Sequence, residues 1–337
     1  MGLKEDSKYA YSVGRIRALE TKLLDRGKID RMIEAEDAEG VLQILSETEY
    51  GDMIAEIESA EEFEKMLHVE LKRTYSVARS FYPDPALVDL FMFKHDFHNL
   101  KVLLKSKLGE QQGAGELLID LGTIADEVRE LMKEDISEIV KKLPEDYARA
   151  IERTLNKFDA SKDPQIIDAS MDAEMFALMC EFAPQNNFLL ELLRMYIDMA
   201  NIKMLVRAKK LGKSKGILNL ALLENGSLLR DDLLEMYDKP LEGVISELCR
   251  SGYGKIIAEG AEYYKKEGSL LVFEKLFDDM IMEHVKKAKY VTFGLEPLVG
   301  YIIAKENEAK LIRTILTGKL NKIQDGRIKE MVREVYV

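Results

Sequence analysis

Asp96-Phe-His-Asn99-Leu100-Lys101-Val-Leu103-Leu104, Asp198-Met-Ala-Asn201-Ile202-Lys203-Met-Leu205-Val206 and Glu308-Ala-Lys-Leu311-Ile312-Arg313-Thr-Ile315-Leu316 are one pattern written three times. At 100° per residue, positions four, seven and eight after the starting acid share its helical face. In every copy those positions are aliphatic, so the acid itself belongs to an apolar stripe. The position five after the acid turns away from that stripe and is basic each time, Lys101, Lys203 and Arg313. The position three after it is Asn99, Asn201 and then Leu311. A repeat of about a hundred residues is far longer than the 34 to 47 of ordinary solenoid repeats and points to a triplicated helical body.

A second block repeats upstream of the first. Lys28-Ile-Asp-Arg-Met-Ile33 and Ala38-Glu-Gly-Val-Leu-Gln-Ile-Leu45, closing on Tyr50-Gly51, are matched by Leu233-Leu-Glu-Met236 and Leu241-Glu-Gly-Val-Ile-Ser-Glu-Leu248, closing on Tyr253-Gly254. The middle copy keeps only the spacing, with Val128 to Met132 and Ile136 to Leu143, and its end at Pro144 has drifted. Between the blocks lie amphipathic segments at 63–79, 148–158 and 271–289. Glycines at 109, 212 and 318 mark the expected ends of the acid-bearing helices, whose starts are expected near Phe91, Leu192 and Gly300. The chain therefore divides into units 1–112, 113–215 and 216–337. The expected fold is all-α, three similar helical bundles with pseudo-threefold symmetry forming a funnel-shaped body.

Composition sets the outer bounds. In 337 residues, 47% are hydrophobic and 33% charged, enough apolar material for a substantial core. Seven prolines in a chain rich in Leu, Ala, Glu, Lys and Met favour helix. No apolar run approaches the roughly 18 residues that span a bilayer, and the stretch 1–11 is too polar for a signal peptide. A net charge of −12 argues against nucleic acid as the main partner. Cys180 and Cys249 are expected to remain thiols.

Chemistry is hard to find. Gly212-Lys213-Ser214 resembles the end of a phosphate-binding loop, but Arg207 stands where the first glycine is required. His95 and His98 share a helical face without a cluster to complete a metal shell. No nucleophile elbow, catalytic triad order or dinucleotide fingerprint occurs. No catalytic, cofactor or metal residue is assigned.

The buried acids have two readings. A carboxylate on an apolar face costs several kcal/mol unless it is paired and hydrogen-bonded, so Asp96, Asp198 and Glu308 are expected to meet partners from a neighbouring helix and fix its register. Alternatively the acids, with Asn99, Asn201, Lys101, Lys203 and Arg313, line a surface that receives another protein. After each acid comes a stretch without carboxylates, richest at Lys203, Arg207, Lys209, Lys210 and Lys213. Such cations either complement helix C-termini or form positive patches that steer an acidic partner.

Asp96-Phe-His-Asn99-Leu-Lys101 after Tyr82-Pro83, its second version from Asp198, the N-terminal Tyr11-Ser-Val-Gly-Arg15-Ile-Arg17 and Thr48-Glu-Tyr50-Gly51 together resemble the C subunits of the archaeal/vacuolar-type (A/V-type) rotary ATPases, counterparts of the d subunit in the eukaryotic vacuolar enzyme. The resemblance covers essentially the whole chain and departs from the repeat at Leu311. It implies a non-catalytic adaptor on the cytoplasmic side of the membrane that sits on the proteolipid rotor ring, accepts the foot of the central stalk and passes torque during ATP-coupled proton or sodium transport. The other reading is a free-standing all-helical interaction scaffold. Calorimetry on the pure chain should show no stoichiometric ATP binding; a saturable complex would contradict the absence of a phosphate-cradling loop.

Overall fold

The computed structural model describes residues 2–109, 113–183 and 186–337, with side chains from Lys8 onward. The protein is all-α: 76% of the chain is helical and the described residues contain no strand. The expected boundary at 112 falls outside the described residues.

In chain order the helices are α1 Gly2–Glu20, α2 Arg26–Glu34, α3 Ala38–Leu45, α4 Gly51–Ile54, α5 Phe63–Phe81 and α6 Pro85–Leu108. There follow α7 Ala125–Leu131, α8 Ile136–Lys142, α9 Glu145–Ser161, α10 Gln165–Phe182 and α11 Asn187–Lys210. The remainder are α12 Lys215–Ala221, α13 Arg230–Tyr237, α14 Leu241–Leu248, α15 Gly254–Glu267, α16 Leu271–Lys286, α17 Glu296–Leu320 and α18 Asp325–Met331. Short 3-10 turns lie at Ala60–Glu62, Ala114–Leu117 and Lys287–Tyr290.

The three longest helices, α6, α11 and α17, carry the three acids. Their starts are earlier than expected, because Pro85 supplies a ready first turn for α6 and Asn186 caps α11 by accepting from the Leu189 N–H. From the acid onward they share one register, Asp96 before Leu108, Asp198 before Lys210 and Glu308 before Leu320 at the same interval. The stripe is buried as the periodicity requires, with Leu100, Leu103, Leu104, Leu205, Ile312, Ile315 and Leu316 fully inaccessible; Val206 alone is only partly buried.

The short paired helices of the repeated block are α2–α3, α7–α8 and α13–α14. Asp25 and Asp37 cap α2 and α3 by accepting from the N–H groups of Lys28 and Gly40. The block ends on Tyr-Gly for a steric reason: a Cβ on Gly51 would lie 2.6 Å from the Ser46 carbonyl, and one on Gly254 would overlap that of Cys249. In the middle copy Pro144 turns the chain into α9 instead, and no glycine is needed.

Two glycines behave differently from one another. Gly212 ends α11 in the left-handed region at φ 62°, with the Lys213 N–H reaching back to the Ala208 carbonyl. In α17 that place is taken by Lys322 at φ 54°, whose successor Ile323 bonds the Gly318 carbonyl. Gly318 therefore does not end its helix. It lies inside α17, where a Cβ would come within 2.7 Å of Ile328, and lets α18 approach.

The chain forms two compact units, one of residues up to Val88 and from Lys255 on, the other of Asp89–Gly254. In the first, α2, α3, α5 and α18 surround α17 in one core built on Ile29, Met32, Val41, Leu45, Met66, Ile312, Ile315 and Ile328. The two ends of the chain thus fold together: Tyr336 donates to Glu20 at 2.9 Å.

Candidate functional site

Asp96 is completely inaccessible midway along α6. It accepts from the backbone N–H groups of Thr123 (2.7 Å) and Ile124 (3.1 Å), from the Thr123 hydroxyl (2.8 Å) and from the Tyr147 phenol (2.9 Å). One carboxylate therefore ties α6 to the start of α7 and the first turn of α9. Asp198 on α11 is equally inaccessible and repeats the arrangement on the next block, with the N–H groups of Ser227 and Leu228 at 3.0 Å each and the Tyr253 phenol at 2.6 Å. No cation pairs with either aspartate among the described residues, so the carboxylates are stabilised by neutral donors.

Glu308 closes the third lock on the opposite end of the chain. It accepts from the Leu24 N–H just before α2, from the Tyr50 phenol (3.3 Å) and from the Lys305 ammonium (2.7 Å). Each long helix thus docks on the block that follows it in the repeat, and the last docks on the first block of the chain. Lys305 also pairs with Glu70 at 2.7 Å, Glu70 with Arg73 at 2.7 Å and Arg73 with Glu49 at 3.0 Å, while the ammonium lies 4.7 Å from the Tyr50 ring centroid. Burial alone would pull the Lys305 pKa down, but Glu308, Tyr50 and Glu70 outweigh it and the net shift is upward. The positions equivalent to Lys305 are Phe93 and Met195, so the ionic device belongs to this copy alone.

Burial, then the neighbouring carboxylate, pushes the pKa of Tyr50, Tyr147 and Tyr253 upward, although for Tyr253 the hydrogen bond to Asp198 outranks the charge itself. All three phenols therefore stay donors. Asp96 is raised from its ordinary value, burial being the largest cause and the four hydrogen bonds opposing it.

A second feature tightens each lock. Asn99 accepts from the Ile119 N–H and donates to its carbonyl, both at 2.8 Å, and Asn201 does the same with Leu223 at 2.8 and 3.0 Å. Leu311 breaks the pattern, and two residues replace the missing amide. Asn307 donates to the Glu334 carbonyl at 2.8 Å and Asp279 accepts from the Glu334 N–H at 2.6 Å. A third feature lies about two further turns along. Lys107 donates to the Met132 carbonyl at 2.7 Å, Lys209 to Tyr237 at 2.7 Å and Lys239 at 2.5 Å, and Lys319 to Ala35 at 2.5 Å. These carbonyls are at the C-terminal ends of α7, α13 and α2, where the last turn leaves acceptors unused.

The remaining candidate residues are largely engaged within the chain. Lys101 pairs with Asp172, Lys213 with Asp163 (2.7 Å), and Arg313 grips Glu64 with two bonds of 2.6 and 2.8 Å. Lys203 is half-buried and Lys210 exposed, each with an interaction of its own. His98 hydrogen-bonds the Leu117 carbonyl at 3.1 Å, and no group of three or more potential ligands could hold a metal among the described residues. Cys180 and Cys249 are free and half-buried. Sequence reasoning places Lys107 and Lys319 only among the cations that follow the acids, and misses Lys305 and the part played by the three tyrosines; for Tyr50 and Tyr253 the repeated Tyr-Gly ending is the available signal.

Locks that tie a long helix to a block elsewhere in the chain define a helical-repeat protein. The family profile described as ATP synthase (C/AC39) subunit matches residues 12–331, and the chain belongs to that family, the non-catalytic C subunits of A/V-type ATP synthases and ATPases. The resemblance read from the residues is thereby borne out. The chain is similar to the C subunit of the A-type ATP synthase of Methanocaldococcus jannaschii, 29% identical over 345 residues that take in 96% of this chain and 86% of that protein. It is also similar to the corresponding A-type ATP synthase protein of Desulfurococcus sp., 26% identical over 338 residues, 97% of this chain and 91% of that one. A third relative is the C subunit of the V-type sodium ATPase of Enterococcus hirae, 26% identical over 324 residues, 95% of this chain and 97% of that one.

The locks make their energetic role measurable. Asp96→Ala strands two buried N–H groups and a phenol and should lower stability by about 3 kcal/mol, at roughly 1 to 3 kcal/mol for a lost buried partner, whereas Asp96→Asn keeps an acceptor and should lower it far less. Because the folded pKa of Asp96 is raised, its protonation stabilises the fold below the ordinary value of 3.8 and that stability is lost as pH rises through the folded value. Denaturant titrations from neutral to acid pH should therefore show wild type gaining on Asp96→Asn as pH falls; the reverse trend would contradict the assignment.

Lys305→Met copies the residue of the second repeat, so its shape is tolerable and its effect electrostatic. It should cost about 3 to 5 kcal/mol, as breaking a buried ion pair does, and adding Glu308→Gln should recover part of that loss. Additive losses in this double-mutant cycle would show that the two groups are not coupled.

Proposed function

We propose that this chain is the adaptor between the central stalk and the membrane proteolipid ring of an A/V-type rotary ATPase, held peripherally on the cytoplasmic side, and that it transmits torque during ATP-coupled proton or sodium transport. Family membership makes it a subunit of such a complex; the observation that supports the linking role is the lock repeated three times. A torque-bearing element must not shear between its parts. Here each long helix is pinned near its middle by a buried carboxylate, and by two further side-chain bonds to backbone carbonyls.

No helix among the described residues is long and apolar enough to cross a membrane, which suits attachment through protein partners. The repeat units 1–112, 113–215 and 216–337 belong to the same proposal, each carrying an equivalent long helix. The relatives' names, A-type ATP synthase and V-type sodium ATPase, favour an ion-translocating complex of the same kind here.

The test is isolation of a tagged chain from native membranes. Head, stalk and ring subunits should co-elute in fixed proportion, and membranes lacking the chain should retain ATP hydrolysis by the head but lose ATP-driven ion transport. A chain recovered alone, or coupling unaffected by its loss, would return the protein to the free-standing scaffold reading.

A further inference from the structure

The most exposed large side chain with apolar surface in the described protein is Tyr290, 88% accessible, in the segment Lys-Ala-Lys-Tyr-Val-Thr-Phe that leads from α16 to α17. Phe293 follows it at 47%. Lys287 and Lys289 precede them, both exposed, and neither forms an ion pair among the described residues; the Lys289 ammonium lies 4.7 Å from the Tyr336 ring centroid. The neighbouring cations are already neutralised, Lys286 by Glu334 and Glu283 and Arg17 by Glu20.

The segment has a fixed seat. Arg17 donates to the carbonyls of Ala288 and Val291, both at 2.8 Å, and Tyr82, whose ring lies 5.6 Å from that of Tyr9, donates to the Gly294 carbonyl at 3.4 Å. The backbone is thus held by Arg17 of α1 at one end and by Tyr82, at the end of α5, at the other; α1 also exposes Tyr11 (68%) and Arg15. Two outward aromatics beside two lysines that form no ion pair among the described residues serve no purpose in the core.

We propose that residues 287–293 form a loop that contacts anionic phospholipid headgroups. Its side chains carry the chemistry of a bilayer interface, where aromatic rings sit at the headgroup level and each Lys adds attraction to an anionic surface. A docked protein partner is less suited to them, because protein interfaces deplete lysine and centre on aromatic anchors seated in pockets. In a chain of net charge −12, which an anionic membrane repels as a whole, such a patch also determines which face approaches. The inference rests on the reading of the chain as peripheral to a membrane, but its test does not use the ATPase, so the two can fail separately.

The full chain should float with vesicles of phosphatidylcholine plus phosphatidylglycerol at low salt, and not with phosphatidylcholine alone. Lys287→Gln with Lys289→Gln should weaken that binding about fivefold per lysine. Tyr290→Ser with Phe293→Ser should weaken it comparably, while Lys65→Gln, an exposed lysine on α5, leaves it unchanged; circular dichroism confirms that each variant is folded. No binding to anionic vesicles, or binding indifferent to the loop variants, would overturn the proposal. So would wild-type binding only to vesicles carrying reconstituted ring, which would assign the loop to a protein partner.

Discussion

A carboxylate fixed in the middle of a buried helix face can persist only where donors converge on it, and that requirement organises the chain. Two backbone N–H groups and a phenol, spaced some two dozen residues apart, must reach the same two oxygens at Asp96 and again at Asp198. The loop before one helix and the start of another are thereby placed together against the long helix. An apolar residue at the same site would tolerate a slide by one turn. A carboxylate would not, because sliding strands its donors as well as its charge.

The elements themselves are legible in the sequence because their signals are local. Helices α3 and α14 begin and end where the repeated block places them, and the stripe on each long helix follows the 3.6-residue period. The partners of the acids are not legible, because nothing in the spacing around Asp96 points to Thr123 or Tyr147. Tyr147 is hidden further by Pro144, which replaces the Tyr-Gly ending with a proline turn. The departure at Leu311 is visible, but its compensation by Asn307 and Asp279 arises from separate helices and emerges only in three dimensions. Gly318 reads as a terminator in the sequence because glycine has two uses, and close approach of Ile328 is the one that applies.

The lysines behind the acids show how composition misleads about surface charge. As a row of letters they form three positive patches. In the structure Lys107, Lys209 and Lys319 reach carbonyls that the last turn of a short helix leaves without N–H partners, and Lys101, Lys213 and Arg313 face carboxylates. A helix of seven to nine residues has nearly as many unsatisfied carbonyls as satisfied ones, so a lysine that caps it from outside both neutralises the dipole and joins the helix to its neighbour. Attraction for an acidic partner then falls to the cations left over.

The choice of acid in each copy is tied to the backbone opposite it. Aspartate is short, so at Asp96 and Asp198 the loop must come to the carboxylate, and it does so at Gly122 and Gly226, where a Cβ would overlap the Oδ1 atom. Gly122 is further committed by its φ of 122°. Glu308 reaches one methylene further, and the residue before its N–H donor Leu24 is Leu23, a buried core side chain where the other copies have no room for one. The longer acid frees the loop to carry a hydrophobic anchor but brings its carboxylate beside Lys305 and Glu70, in a pocket that neutral donors alone do not fill. Aspartate with glycine and glutamate with leucine and lysine are thus two solutions to one packing problem, and the second stands where no peptide bond links helix to block and the two ends of the chain must hold each other.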